Sequence, residues 1–314
     1  MGHRFVDRHE SDAVLPAGVV SGWRFAVSTL GAPGLPVRDS ARLAAEHGCE
    51  GLELRVHADE EVRLGLPAAV IGRVRREVAE AGLEVACLAG YAEVCRPGPD
   101  GPVVDELRAL VDLAASLGAP AVRVFPGGEV FRGAGAGRVL PGAGGGQASR
   151  GAGNGRAVDR IAAVLPDLRA SGVRLLVETH DSHPTGEAAL RLVEPFGEPA
   201  RVAVLWDAVH PWRAGEPPGR TRAVLGDYLA YFQVKDVAAD GPTPVPPGEG
   251  AVPLEECGRL LANWSGWVSL EWERAWYPDL APLPVPLRAA ADWCDRWRPG
   301  GQVRADRGTT RPVS

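Results

Sequence analysis

Four short apolar runs in the second half of the chain end in side chains that can bind cations or carry protons. Leu175-Leu176-Val177 leads into Glu178-Thr179-His180, and Val204-Leu205-Trp206 into Asp207-Ala208-Val209-His210. Tyr231-Phe232 precedes Gln233-Val234-Lys235-Asp236, and Val268-Ser269-Leu270 precedes Glu271-Trp272-Glu273. A carboxylate at the end of an apolar run is costly to bury unless it is paired or bound to a cation. If the four runs end at one rim, their acceptors meet that demand together by holding a metal ion. The alternative is a set of structural ion pairs with arginines such as Arg123, Arg213 and Arg274. Lys235 and Asp236 are expected to pair with each other. His180-x-x-His183 falls in a turn after a strand, where surface histidine is the expectation for His183. Trp206, Trp212, Trp272 and Trp276 lie near the same rim and could stack on an apolar face of a substrate, packing being their default role.

The rest of the composition removes other mechanisms. Lys235 is the one lysine in the chain, so no Gly-Lys-Ser/Thr phosphate loop exists and Schiff-base chemistry would have to use that residue. Five cysteines form no Cys-x-x-Cys pair, which argues against a disulfide scaffold or a zinc knuckle and fits a reducing cytoplasm. With 34 basic against 40 acidic side chains the formal net charge is -6, giving no general footprint for nucleic acid. No run of about 18 apolar residues suggests a membrane span, and the first twenty residues are too polar for a signal peptide. The expected location is the cytoplasm.

The elements that must position these groups follow from periodicity. Runs at 24–29, 51–55, 83–89, 121–125, 173–178, 202–206, 231–234 and 267–271 have strand character. Between and after them, apolar residues at helical spacing mark 38–47, 67–81, 102–117, 156–170, 186–193, 221–228, 253–262 and 284–296. Eight β-then-α units with strands apolar on both faces call for an α/β fold, a single-domain (β/α)8 barrel over 21–298, with active-site groups at the strand C-termini. Residues 1–20 and 299–314 are expected to be flexible tails, and the glycine-packed stretch 127–155 after the fourth strand a mobile insertion or lid. Its glycines do not form a Gly-x-Gly-x-x-Gly turn between strand and helix, so a dinucleotide site is not expected there.

With these motifs in order, the chain resembles the xylose isomerase-like barrels, in particular their sugar phosphate isomerase/epimerase group. The resemblance rests on Val177-Glu178-Thr179-His180, Asp207-x-x-His210, Gln233-Val234-Lys235-Asp236, Gly248-Glu249-Gly250-x-Val252-Pro253 and Leu270-Glu271-Trp272-Glu273, and covers roughly residues 22–298. It implies a divalent metal held by Glu178, Asp207, Gln233 and Glu271. Many relatives have His where Gln233 stands; an all-oxygen set shifts the expectation towards Mn²⁺ or Mg²⁺ and away from Zn²⁺. The resemblance also implies that His180 and His210 contact substrate, and Glu53 matches a position that often does so, a rim salt bridge being the alternative for Glu53 or Arg55.

The implied activity is isomerisation or epimerisation of a small hydroxy-carbonyl compound, a sugar or cyclitol. Glu178 and Glu271 would exchange the proton next to the carbonyl through a metal-stabilised enediolate. The same site could instead run an inosose-type dehydration, or persist in a catalytically silent metal- or sugar-binding barrel. The DNA-repair branch of these barrels is disfavoured, because its extra histidines are absent at Leu88-Ala89-Gly90 and Phe125-Pro126-Gly127. Relatives often pair, so a homo-oligomer is an expectation of the resemblance.

Overall fold

A computed structural model describes residues 22–128 and 146–298. The strands are β1 (Trp23–Ser28), β2 (Gly51–Arg55), β3 (Glu84–Glu93), β4 (Ala121–Phe125), β5 (Arg174–Glu178), β6 (Val202–Asp207), β7 (Leu229–Val234), β8 (Asp236–Val237), β9 (Pro244–Val245) and β10 (Gly266–Leu270). The helices are α1 (Val37–Glu46), α2 (Ala68–Glu80), α3 (Asp100–Leu117), α4 (Gly146–Ser171), α5 (Gly186–Val193), α6 (Val209–Arg213), α7 (Pro218–Leu225), α8 (Leu254–Leu261) and α9 (Pro284–Trp297). Eight strands close into a parallel barrel in the order β1-β10-β7-β6-β5-β4-β3-β2, while β8 and β9 form a separate antiparallel ribbon. The eight-stranded α/β barrel expected from the sequence is the one observed.

The barrel closes because its strands are apolar on both faces. Outward side chains such as Leu52, Leu54, Val122, Val204 and Phe232 join the large core beneath the helices. Inward side chains form a second, smaller cluster that includes Ala26, Cys87, Leu176, Ala203, Leu205 and Tyr231. Because side chains alternate along a strand, the next inward positions toward the C-terminal end are fixed. Leu176 is followed by Glu178, Leu205 by Asp207, and Tyr231 by Gln233 and then Lys235. Register then aligns them across strands, with Asp207 beside Gln233 and Gln233 beside Ser269.

Four local expectations are corrected. Residues 146–155 belong to α4 and not to a loop, while 129–145 and both tails lie outside the described residues. Helix α4 is drawn in by Ala157, Ile161, Val164 and Leu168, all fully buried, and by Arg160, whose guanidinium donates to the carbonyls of Val94, Arg96 and Gly98 and to Asp100. This docking outweighs the weak helix propensity of the glycines. His183 is buried and not on the surface: its Nε2 lies 2.9 Å from Asn154 Oδ1, a residue of the same helix. Strand β3 also runs four residues beyond its expected end, to Glu93.

The fourth correction concerns Asp236, which does not pair with Lys235. Its Oδ1 accepts the backbone N–H groups of Val237 (2.9 Å) and Val252 (3.1 Å), and its Oδ2 those of Gly248 (2.9 Å) and Gly250 (3.0 Å). The carboxylate thus pins the 248–252 loop over the β8–β9 ribbon. Gly250 approaches so closely that a Cβ there would stand 2.1 Å from Asp236 Oδ1, which excludes any side chain. Among the described residues no helix is long and apolar enough to cross a membrane. Since hydrogen bonds to a charged acceptor each contribute roughly 1.5–3 kcal/mol, Asp236→Ala is expected to lower stability by about 3–5 kcal/mol in urea unfolding, and Asp236→Asn by less.

Candidate metal and proton-transfer site

Local hydrogen bonding aims the rim residues. The Asp207 N–H donates to Thr179 Oγ1 (3.0 Å), locking the end of β6 to the end of β5. Asp207 Oδ1 then accepts the N–H groups of Val209 (2.6 Å) and His210 (3.3 Å) at the start of α6. An acceptor at a helix start satisfies donors that have no intrahelical partner. The turn brings the His210 ring to 4.2 Å, centroid to centroid, from His180 in an edge-on contact. His180 also packs on Phe125 at 4.6 Å. Asp181, the only described non-glycine residue with positive φ (47°), sets its Oδ1 2.8 Å from His180 Nδ1 and accepts Gly127 N–H at 3.1 Å.

On the far side of the mouth, Gln233 is a strut. Its amide nitrogen donates to Glu53 Oε1 (3.1 Å) and to Glu271 Oε1 (3.2 Å). Lys235, two residues on and therefore on the same face of the strand, donates to Glu271 Oε2 (2.7 Å) and Glu273 Oε1 (2.6 Å) and lies 3.5 Å from Asp207 Oδ2. Glu53 is wholly buried and serves no rim salt bridge. Arg55 makes that bridge instead, donating to Asp59, Glu60 and the Tyr91 hydroxyl, each at 2.8 Å. Arg123 stands 3.1 Å from Glu178 Oε2 as a charge contact outside hydrogen-bonding alignment, and donates to Gly90 O at 3.2 Å.

Five carboxylates, Glu53, Glu178, Asp207, Glu271 and Glu273, therefore meet two permanent cations, Arg123 and Lys235. Burial of excess like charge raises proton affinity. Burial, reinforced by Glu271 and Asp207 and opposed by Arg123, pushes Glu178 up to about 8. Burial and Glu271 likewise raise Glu53 and Asp207, with Lys235 opposing at Asp207. Glu271 goes the other way: burial works against its charge, but Lys235 and Arg123 prevail and hold it below the usual carboxylate range. Burial and its cationic neighbours drive His210 well below the usual imidazole value. His180 is raised against its burial by Asp181 and Glu178.

Several buried donor and acceptor atoms at this mouth have no hydrogen-bond partner among the described residues. They are Glu53 Oε2, Glu178 Oε2, Asp207 Oδ2, Gln233 Oε1, His180 Nδ1 and His210 Nε2. Orphaned acceptors in an anionic cavity are the surroundings a divalent cation needs, so the donor set fits such an ion. Among the described residues, one ligand atom from each of Glu178, His180 and His210 falls within a common 4.8 Å. Glu271 differs, since both its oxygens already accept hydrogen bonds. Of the tryptophans, Trp206 is buried edge-on against Phe232, Trp272 is buried with its N–H on Ala281 O, and Trp212 packs partly buried on the core. Trp276 alone of the four is exposed at the rim, with Arg55 5.0 Å over its ring and Tyr91 6.4 Å away. Sequence reasoning missed Asp181 and Tyr91. It also misassigned Lys235, although its two-residue spacing from Gln233 was a usable signal.

Polar groups at the C-terminal ends of barrel strands recur across many enzymes, so the family is identified by comparison. The model of the xylose isomerase-like TIM barrel family matches residues 41–297, and the chain belongs to that family. Among solved structures, the probable 3-DHS dehydratase AsbF involved in petrobactin synthesis from Bacillus anthracis superposes with a TM-score of 0.64 at 19% identity, covering 85% of this chain and 98% of that one. The 3-keto-D-glucoside 4-epimerase YcjR from E. coli gives 0.66 at 16% identity, over 87% and 99%. The IolI protein with a binding zinc atom gives 0.69 at 15% identity, over 87% and 99%. These likenesses are of fold. Among curated proteins none matches the chain by sequence.

The charge pattern makes a measurable claim about Lys235. Removing one partner of a buried ion pair costs roughly 3–5 kcal/mol, so Lys235→Met is expected to destabilise the metal-free protein by about that much. In a double-mutant cycle Glu271→Gln should recover part of the loss, and urea unfolding of the four proteins gives the coupling.

Proposed function

We propose that the protein is a divalent-metal-dependent isomerase or epimerase that moves a proton beside the carbonyl of a small hydroxy-carbonyl compound, a sugar or cyclitol. The observation that carries this reading is the placement of two buried carboxylates, Glu178 and Glu271, at one mouth, on strand ends three places apart round the barrel. From those positions one carboxylate takes the proton next to the carbonyl and the other returns it. Return to the same carbon inverts it, and return to its neighbour moves the carbonyl.

The residues that would hold the cation are Glu178 and the acceptors around it, which the family pattern gives as Asp207, Gln233 and Glu271. When bound, a divalent ion supplies Lewis-acid polarisation of the substrate's carbonyl and hydroxyl oxygens, acidifying the C–H between them. His180 and His210 line the same mouth, and Tyr91, Phe125 and Trp276 give it an aromatic wall against which an apolar ring face can rest. Glu53 sits beneath the floor as the second acceptor of Gln233. The zinc-bearing IolI and the epimerase YcjR support a metal-dependent reaction on a sugar-like compound. The likeness to a probable dehydratase supports a second outcome at the same site, loss of a β-hydroxyl after deprotonation, which makes the enzyme a lyase.

The test is solvent-deuterium incorporation into ketoses, inososes and hydroxypyruvate by the metal-loaded protein, read by NMR. Exchange is expected in at least one compound, and product analysis separates epimer, isomer and dehydrated product. Since positioned acid–base groups contribute about 10²–10⁴-fold, Glu178→Gln and Glu271→Gln should each lower exchange by that order. Full exchange in both variants would remove their roles, and metal binding without exchange into any compound would leave a silent binding barrel.

A further inference from the structure

Glu53, Glu178, Asp207 and Glu271 are the buried carboxylates of the mouth, and Glu53 alone of them has no part in the expected ligand set or in proton transfer. It lies on β2 level in register with Ser28 of β1 and Cys87 of β3, beside the apolar floor. Burying an acid there is costly, and an apolar side chain would serve stability better. What Glu53 meets is Gln233, another wholly buried residue, whose Nε2 donates to Glu53 Oε1 at 3.1 Å across the barrel interior.

A primary amide carries both donors on its nitrogen and its acceptor lone pairs on its oxygen. Gln233 directs its nitrogen at two carboxylates, Glu53 Oε1 at 3.1 Å and Glu271 Oε1 at 3.2 Å. Turned over, the same amide would set its carbonyl oxygen against both acids and lose both bonds. These contacts therefore fix the direction of Oε1, which is the end turned away from the two carboxylates. Oε1 is buried and has no hydrogen-bond partner among the described residues. The same holds for Oδ2 of Asp207, the residue that pairs with Gln233 in register across β6 and β7. Glu271 cannot hold the amide by itself, because it is an expected ligand and Lys235 already engages its other oxygen at 2.7 Å. Glu53 stands outside the ligand set, so its hold on the amide does not compete with an ion.

We propose that Glu53 is a positioning residue for Gln233, holding the amide so that Oε1, and not the nitrogen, is presented to the cation site. The proposal rests on the metal-dependent reading above and leaves its ligands in place. It gives Glu53 a task in binding the ion and not in contacting substrate. Carboxylates behind ligating histidines orient the ring in the same way. An amide needs such a partner more, because only its oxygen can ligate; turned over, it would present the positive ends of two N–H bonds to the ion. Glu53 thus decides whether position 233 is a ligand or an obstacle.

The experiment uses the full metal-free chain, whose glutamines are Gln147, Gln233 and Gln302, so a spectrum of labelled glutamine side chains holds few amides to tell apart. Gln233→Leu identifies the Gln233 signal. Its Nε2 hydrogens are expected to exchange with solvent at least ~10-fold more slowly in the unaltered protein than in Glu53→Leu, the factor that loss of a hydrogen bond to a charged acceptor gives. Adding Mg²⁺ or Zn²⁺ to the unaltered protein should shift the Gln233 side-chain carbonyl carbon and leave the N–H protection in place. In calorimetric titrations with Mn²⁺, Mg²⁺ or Zn²⁺ alone, Glu53→Leu should weaken the tightest of them by about 10–100-fold. Glu53→Gln keeps an acceptor oxygen without the charge and should lose less. If Glu53 acts through the amide, Glu53→Leu should add nothing to the loss seen in Gln233→Leu. Equal losses in Glu53→Leu and Glu53→Gln, additive losses with Gln233→Leu, or a freely exchanging Gln233 amide would overturn the proposal. Should Glu53→Leu fail to fold, the carbonyl shift and N–H protection of the unaltered protein decide alone. An unaltered chain that binds none of the three ions would overturn the metal-dependent reading and the proposal with it. Binding that Glu53→Leu leaves unchanged would overturn only the proposal.

Discussion

Uncompensated negative charge at the C-terminal mouth of the barrel is the constraint to which the rest of the site answers. Glu53, Glu178, Asp207 and Glu271 are each at most 5% exposed, and Arg123 and Lys235 cannot neutralise them all. Removing a charge from water without a partner is too costly to leave unanswered. The mouth answers in two ways. Where Lys235 is in contact, Glu271 is held below the usual carboxylate range; at Glu178, burial outweighs Arg123 and His180 and pushes the group up. Two chemically identical side chains are thus displaced in opposite directions by where one ammonium is placed.

The barrel is what makes such placement possible. Its lower interior is filled by small or apolar residues, Ala26, Ala86, Cys87, Ala121 and Ala203 among them, so inward-facing polar groups are confined to the next layers up. Period-two alternation carries each strand from that apolar floor to a polar ceiling within two residues, as from Leu176 to Glu178. The outward core under the helices contributes the burial energy that the polar ceiling does not. Asp236 and the ribbon of β8 and β9 close the rim beside Lys235, and the fit of Gly250 against Asp236 shows how little slack that corner has.

The architecture was legible because it is written in repeated, local signals. Eight apolar runs at similar intervals, each followed by a helical pattern, leave few alternatives to a closed parallel barrel, and the carboxylates at strand ends are visible as such. What was hidden depends on which way side chains turn after the strand ends. Nothing local says that Asp236 turns back onto four backbone N–H groups while Lys235 turns inward, since both choices satisfy the pair in isolation. The α4 extension was missed because glycine counts report propensity, whereas Arg160 and its buried neighbours supply the docking that overrides it. His183 was misplaced for the same reason: its partner Asn154 lies on that extension.

Gln233 shows how an amide can organise the carboxylates around it. An imidazole at this position offers one free nitrogen to a metal while the other donates a single hydrogen bond. An amide has two hydrogens on one nitrogen, and here both are spent holding Glu53 and Glu271 apart from each other's charge. That double donation makes the side chain a brace between two carboxylates, with its Oε1 left unpartnered among the described residues. It also fixes Glu271 where Lys235 can reach it, so the brace and the ammonium act on the same side chain from two directions.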